Sequence, residues 1–305
     1  FGGFWAWDPV ENSSLVPWMT LVAGLHFMLV SRKQNYALLA AYIFITLSYV
    51  LVLYASFLTR SGVLADTSAH SFGNNGMTAQ LLVYLLVFLG MMIVMIAANY
   101  RKFRINREDI LLSREFWMFI GSLIMVLAAF QIIFTTSIPV FNTVFGTDIA
   151  PPTDPVAFYN RWQTPYALLL AAFIAFSQIL HYSTNDAGLF LRRLVFPAGS
   201  AVILTVPLVL TGVVTQLNFI LVVFFTLFAL MASIYNTISL KTRPRNLAAF
   251  ITHVGFVIFI LGAVITFSNS RVISSNPSQY DLGDGRANAE NLVLMRGDTL
   301  QMSGF

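Results

Sequence analysis

The chain has 305 residues, of which 57% are hydrophobic and 10% charged; soluble domains carry about 25% charged residues. This composition excludes an ordinary soluble globular protein, so size is set by membrane spans rather than by soluble-domain counts. The net charge of +4 reads as cytoplasmic-loop Lys and Arg and gives no nucleic-acid partner, and the lack of cysteine excludes disulfides, thiolate catalysis and Cys-rich metal sites, leaving any thiol chemistry to a partner.

The chain opens on Phe1-Gly2-Gly3-Phe4-Trp5-Ala6-Trp7-Asp8-Pro9-Val10-Glu11-Asn12-Ser13-Ser14-Leu15-Val16-Pro17-Trp18. Large flat rings beside a few polar groups suit a flat, mostly apolar ligand with charged edges; an interfacial aromatic belt is the alternative. Asp8 before Pro9 favours a turn, and Glu11 is placed to orient a neighbour; both roles compete with acid–base chemistry. Asn12, Ser13 and Ser14 are candidates to cap the first helix.

Eight apolar runs follow, at about residues 17–30, 36–58, 79–99, 115–137, 164–183, 195–214, 218–240 and 247–267, each a candidate helix across a core of about 30 Å. Pro207 is expected to kink the sixth. With the aromatic end outside, the inner loops hold Arg32, Lys33, Arg101, Lys102, Arg104, Arg107, Arg114, Arg192, Arg193, Lys241, Arg243 and Arg245, twelve of the 17 basic residues. This asymmetry fixes the orientation, with both ends outside. Two outer loops, 59–78 and 138–163, join spans, and Pro151-Pro152 and Asp154-Pro155 in the second mark irregular backbone. The polar tail 269–305 contains a strand–turn–strand pattern around Gly297-Asp298, read as the start of an outer β domain. The expected fold is an all-α polytopic membrane protein with about eight transmembrane helices and a short β-rich C-terminal segment.

Four histidines can carry chemistry: His26, His70, His181 and His253. Imidazole is a common ligand for metals and haem iron, and an ionisable group within a span is a functional candidate; a histidine bonded to a backbone carbonyl is the plain alternative. His26 lies about 7 Å from the inner boundary of the first span and His253 about 9 Å from that of the last, at 1.5 Å per residue. Two imidazoles facing each other at one depth would form an axial pair. His181, near the inner end of the fifth run, reads as an interfacial residue. Arg60 either pairs with a ligand carboxylate or anchors at the headgroups.

Gly2-Gly3-Phe4-Trp5-Ala6-Trp7-Asp8-Pro9-Val10-Glu11-Asn12-Ser13-Ser14 closely resembles the tryptophan-rich "WWD" signature of the haem-handling proteins of cytochrome c maturation. With Pro17-Trp18 added, it resembles the CcmF branch, the haem lyase subunit, and the chain is expected to be part of a longer protein. Gly24-Leu25-His26 and Thr252-His253-Val254-Gly255 resemble the family's two transmembrane ligands of a b-type haem, thought to relay electrons from quinol. Thr59-Arg60-Ser61-Gly62-Val63-Leu64 resembles the start of the loop whose histidine, here His70, ligates the haem held over the WWD aromatics. The other periplasmic histidine of the family is expected upstream of Phe1, and His181 matches no ligand. The resemblance implies porphyrin packing by Trp5, Trp7 and Trp18 within a site that also includes Asp8, Pro9, Glu11, Asn12 and Arg60.

It further implies three regions: a periplasmic WWD segment (1–18), a helical bundle (17–268) and the start of a periplasmic domain (269–305). The implied setting is the bacterial inner membrane and its lipids. The implied activity is that of a haem lyase, with haem b as resident cofactor and a second haem as the transferred substrate. A periplasmic haem chaperone delivers that substrate. A thiol-handling maturation subunit presents apocytochrome c, whose CxxCH cysteines form the thioether bonds. A haem transport or presentation protein without bond formation, and a nitrite-reductase-type lyase paralogue, are the alternatives. An ordinary two-haem cytochrome b fits poorly, because it needs two histidines on each of two helices, and no run here carries two.

Overall fold

The computed structural model describes residues 5–33, 35–68, 70–73, 76–103, 111–180, 186–239, 247–269, 294–297 and 299. Among them there are helices and no strand. Eight helices are long: α1 (Pro9–Ser31), α2 (Ala37–Arg60), α3 (Thr78–Asn99), α4 (Arg114–Thr136), α6 (Pro155–Ile179), α7 (Ala187–Leu210), α8 (Leu217–Ser239) and α9 (Leu247–Asn269). The remaining α-helix, α5 (Ile138–Phe145), is short. Seven of the long helices are long and apolar enough to cross a membrane, and the protein is a multi-pass membrane protein. The exception is α6, whose first half carries Asn160, Arg161 and Gln163.

Several helices start earlier than their apolar runs, because capping chemistry precedes hydrophobicity. α1 begins at Pro9 because Asp8 and Glu11 form a complete capping box with proline in the first turn. The expected caps Asn12, Ser13 and Ser14 therefore lie inside the helix, where Ser13 and Ser14 donate to the carbonyls of Val10 and Glu11. Asp154, expected in irregular backbone, caps α6 by accepting from Ala157 N, with Pro155 at the first position. Asp186 caps α7 in the same way. α5 occupies part of the expected outer loop 138–163, starting with proline in its first turn and ending at Gly146 in the left-handed conformation (φ 65°). α7 continues through Pro197 and Pro207 as a single helix. Of the expected β segment only 294–297 and 299 are described; they include a turn at Gly297 (φ 101°) and no strand, and the rest of the expected strands, like His181, lies outside the described residues.

The helices pack in two groups. α1 packs on α2 and α4, with α3 against α2; α8 packs on α6, α7 and α9; the α4–α6 contact joins the groups. Lipid chains are as apolar as Leu, so helices associate in a membrane through close packing and interhelical hydrogen bonds. α1 follows this rule, burying Ser13, Thr20, Ala23, Gly24 and Phe27. At Gly24 the helices touch backbone to backbone: a Cβ there would meet Ile45 N at 2.9 Å and Ile45 Cγ1 at 2.8 Å. Ala23, Phe27 and Ala41 form the core beside this point, flanked by Phe44 and Phe119.

The chain directions bring the Trp-rich start of α1, the loop after α2, α5 and the start of α6 to one end of the bundle. The starts of α4 and α9 and the ends of α6 and α8 meet at the other. Because the obstacle at Gly24 is partly backbone, Gly24→Ala should force α1 away from α2 and destabilise the protein by about 1–3 kcal/mol. Thermal unfolding of the purified protein in detergent measures this; an unchanged midpoint would show that α1 and α2 can separate freely.

Candidate functional site: a tryptophan-rich cap and a two-histidine cavity

At the Trp-rich end, Asp8 does three jobs with one carboxylate. It caps α1 by accepting from Val10 N at 2.8 Å. It also accepts from Ser68 Oγ at 2.7 and 2.8 Å, and it lies 3.5 Å from His70 Nδ1. Ser68 Oγ in turn accepts from His70 N at 3.1 Å. The loop carrying His70 is thereby tied to the start of α1, with the imidazole half-exposed at the surface. Glu11 accepts from the backbone N–H groups of Ala6 and Asp8 at 3.0 and 3.2 Å and so shapes the Trp5–Asp8 segment. The structure gives both carboxylates positioning work.

Trp7 is the fulcrum of this cap. Its backbone is left-handed (φ 58°), a region sparsely used by residues with a Cβ. Three contacts hold it there: the indole N–H donates to Asn160 Oδ1 at 2.9 Å, the ring stacks on Tyr159 at 5.0 Å and 17°, and its carbonyl accepts from Asn12 Nδ2 at 3.0 Å. Trp5 meets Trp7 edge to face at 6.1 Å. Arg60, at the last turn of α2, sits over the Phe72 ring with its guanidinium carbon 5.5 Å from the centroid. Trp5, Trp7, Asp8, Pro9, Glu11, Asn12 and His70 are thus gathered at one end, with Arg60 at the same end on the neighbouring helix. Trp18 is not with them. It lies nine residues into α1, about 14 Å down the axis, and faces a different space.

That space is a cavity of about 440 Å³ between α1, α4, α6 and α9, within the usual ligand-pocket range of roughly 300–1,000 Å³. Trp18, Leu29, Trp117, Phe173 and Phe256 give it apolar walls, and His26, His253, Arg114, Ser177 and Gln178 give it polar groups. The His26 and His253 rings lie 6.2 Å apart, centroid to centroid, with 62° between their planes. His26 Nδ1 is 2.8 Å from the Val22 carbonyl; a carbonyl only accepts, so Nδ1 carries the proton and Nε2 keeps its lone pair. The Ala249 carbonyl, one turn back, likewise hydrogen-bonds the His253 ring.

These residues fit an axially ligated haem. A metal–imidazole bond of about 2 Å, plus about 1.1 Å from nitrogen to ring centre, puts two opposed imidazole centroids about 6.2 Å apart. The apolar walls suit a porphyrin face, and Arg114 supplies a guanidinium matched to a propionate. Among the described residues no cluster of three or more His, Cys, Asp or Glu could hold a metal ion. The donor set lining the cavity is a histidine pair, a set that would suit an iron whose other ligands come from a macrocycle.

Residues beyond the sequence reading also belong here. Tyr159 and Asn160 fell in a stretch read as loop, while Gln178 and Asn236 are buried amides within apolar helices. Polarity inside a span was the available signal for those two. Asp8→Ala should remove both the cap and the loop anchor, lowering stability by about 1–2 kcal/mol and exposing the 61–73 loop to protease. Asp8→Asn should keep most of the cap, since asparagine caps comparably. Thermal unfolding and limited proteolysis test this; equal protease resistance in Asp8→Ala would remove the anchoring role.

Residues 1–65 match the family described as cytochrome C assembly protein. The cytochrome c-type biogenesis protein CycK of Bradyrhizobium diazoefficiens is 30% identical over 190 residues, covering 61% of this chain and 28% of the relative. CcmF of Pseudomonas fluorescens is 27% identical over 291 residues, covering 88% of this chain and 42% of the relative. NrfE of Haemophilus influenzae is 40% identical over 72 residues, covering 24% and 11%. The chain spans less than half the length of these curated relatives, and no solved structure matches it. With the Trp-rich cap at the start of α1 inside the matched region, and similarity to a CcmF over 88% of its residues, the chain is similar to the CcmF-type cytochrome c biogenesis proteins.

Proposed function

We propose that this chain is the haem-handling part of a cytochrome c haem lyase in the bacterial inner membrane, with its Trp-rich end in the periplasm. The observation that carries this reading is the His26–His253 pair, 6.2 Å apart across an apolar cavity, with His26 on the helix whose start bears the Trp-rich cap tied to His70. His26 and His253 hold a b-type haem; when bound, it supplies one-electron redox chemistry. Trp18, Trp117 and Phe173 exclude water around it, and Arg114 orients its carboxylate edge. Quinol is the proposed electron source.

The outer end receives haem as substrate from a periplasmic chaperone. His70 offers its imidazole as an axial ligand, and Asp8 and Ser68 hold the loop that carries it. Trp5 supplies a ring surface for the porphyrin. Trp7, committed to Tyr159 and Asn160, sets the shape of the cap. Arg60 pairs with a propionate. The thiols of apocytochrome c, brought by a presenting subunit, add across the vinyl groups, and the chain contributes positioning. The similarity to a CcmF over 88% of the chain, against 24% for an NrfE, favours a general cytochrome c lyase over the nitrite-reductase paralogue.

His26→Ala and His253→Ala should each reduce the haem retained on purification by about tenfold, since a ligand is worth at least as much as its supporting residues. Added imidazole should restore part of the low-spin spectrum. Wild-type haem content and spectrum in both variants would overturn the assignment. His70→Ala should leave the membrane haem spectrum intact while lowering the yield of holocytochrome c several-fold at matched protein level. A normal yield would remove His70 from the site.

A further inference from the structure

The two histidines of the cavity are not equivalent. Against His26 Nδ1 stands the Val22 carbonyl, a pure acceptor, at 2.8 Å. Against His253 Nδ1 stands the side-chain amide of Gln178, its Nε2 at 3.3 Å. The amide's orientation follows from its other contacts. Gln178 Oε1 accepts from Arg114 Nη2 and from Asn236 Nδ2, each at 3.2 Å. Turning the amide over would set its NH2 against two donors, so the oxygen stays with them and the NH2 faces His253. Gln178 and Asn236 are both buried, where such an arrangement is costly to undo.

An imidazole ligand is strengthened when its second nitrogen donates to an acceptor, because the ring becomes more basic. The Ala249 carbonyl pulls His253 that way, while the Gln178 N–H opposes it. Among the described residues, His26 has no opposing amide. We propose that Gln178, locked by Arg114 and Asn236, is a positioning residue that weakens His253 as an axial ligand, leaving His26 the firm ligand and His253 the displaceable one. This rests on the reading of the pair as haem ligands. Its consequence is a raised reduction potential, since a weaker donor favours the reduced iron, and readier displacement of His253 on reduction.

The test uses the purified full-length protein with its bound haem, comparing wild type, Gln178→Leu and Gln178→Glu. Two quantities are read: the midpoint potential and the rate of CO uptake by the dithionite-reduced protein. Leu removes the opposing N–H, and Glu replaces it with an acceptor of nearly the same shape. The potential should fall from wild type to Leu to Glu, and CO uptake should slow roughly tenfold in Gln178→Leu, the size of effect expected of a residue behind a ligand. A merely structural role gives the opposite pattern. The near-isosteric Glu would then lie closer to wild type than Leu, and the Leu variant would take up CO faster and shed haem. That pattern, or unchanged potentials, overturns the proposal. If Gln178→Leu does not fold, the Glu variant decides alone, a fall in potential supporting the proposal and no fall overturning it. If the wild type carries no b haem, or both single histidine variants keep its spectrum, the ligand reading itself fails and this inference with it, a result visible before any Gln178 variant is made.

Discussion

The architecture depends on how closely α1 can approach its neighbours. A membrane interior offers no hydrophobic force to push helices together, so contact must come from shape. α1 meets that requirement with Gly24 facing α2, where the absence of a side chain lets the helix rest on the Ile45 backbone. Half of its apolar span is buried, against 6% for α3 and α9. A helix held this firmly fixes whatever is attached to it, and α1 carries the cap at its first turn and His26 near its last.

Polar groups divide into two kinds. Most hydroxyls within the helices, such as Thr20, Ser122, Thr205 and Ser233, donate to a carbonyl one turn back. They satisfy themselves and join nothing. A smaller set crosses between elements. Trp7–Asn160 and Asp8–Ser68 bind the cap to α6 and to the His70 loop. Gln163–Gln131 ties α6 to α4 just below. Arg114, Asn236 and His253 converge on Gln178 at the opposite end. Both candidate sites are thus braced by interelement polar contacts, where loss of geometry would matter most. The left-handed Trp7 belongs to the same pattern, since a strained residue persists only where its surroundings over-determine it.

The two ends are built for different work. The cavity is walled by rings and aliphatic chains, with its polar groups gathered near the basic end, an enclosure suited to a resident group. The cap is open: His70 is half-exposed and Arg60 faces outward over Phe72. An exposed histidine on a tethered loop can meet and release an incoming molecule more readily than a pair set between helices. Separation along one helix keeps the two roles at fixed distance without merging them.

Composition, apolar runs and Lys/Arg placement were enough to establish a multi-pass helical protein, and the similar depth of His26 and His253 was legible from run boundaries alone. These properties are one-dimensional: hydropathy reports position along the membrane normal, and so does a residue count from a helix end. The tertiary structure alone decided rotation and partnership. Whether His26 and His253 face each other depends on the azimuth of α1 and α9, which Gly24 and the packing of α8 control. Trp7 and Trp18 belong to one motif, yet the capping box starts a helix between them and carries Trp18 down to the cavity. Gln178 and Asn236 were visible as amides in apolar runs, but only folding brings residues 58 positions apart to one carbonyl oxygen and so turns the other face of the amide toward His253.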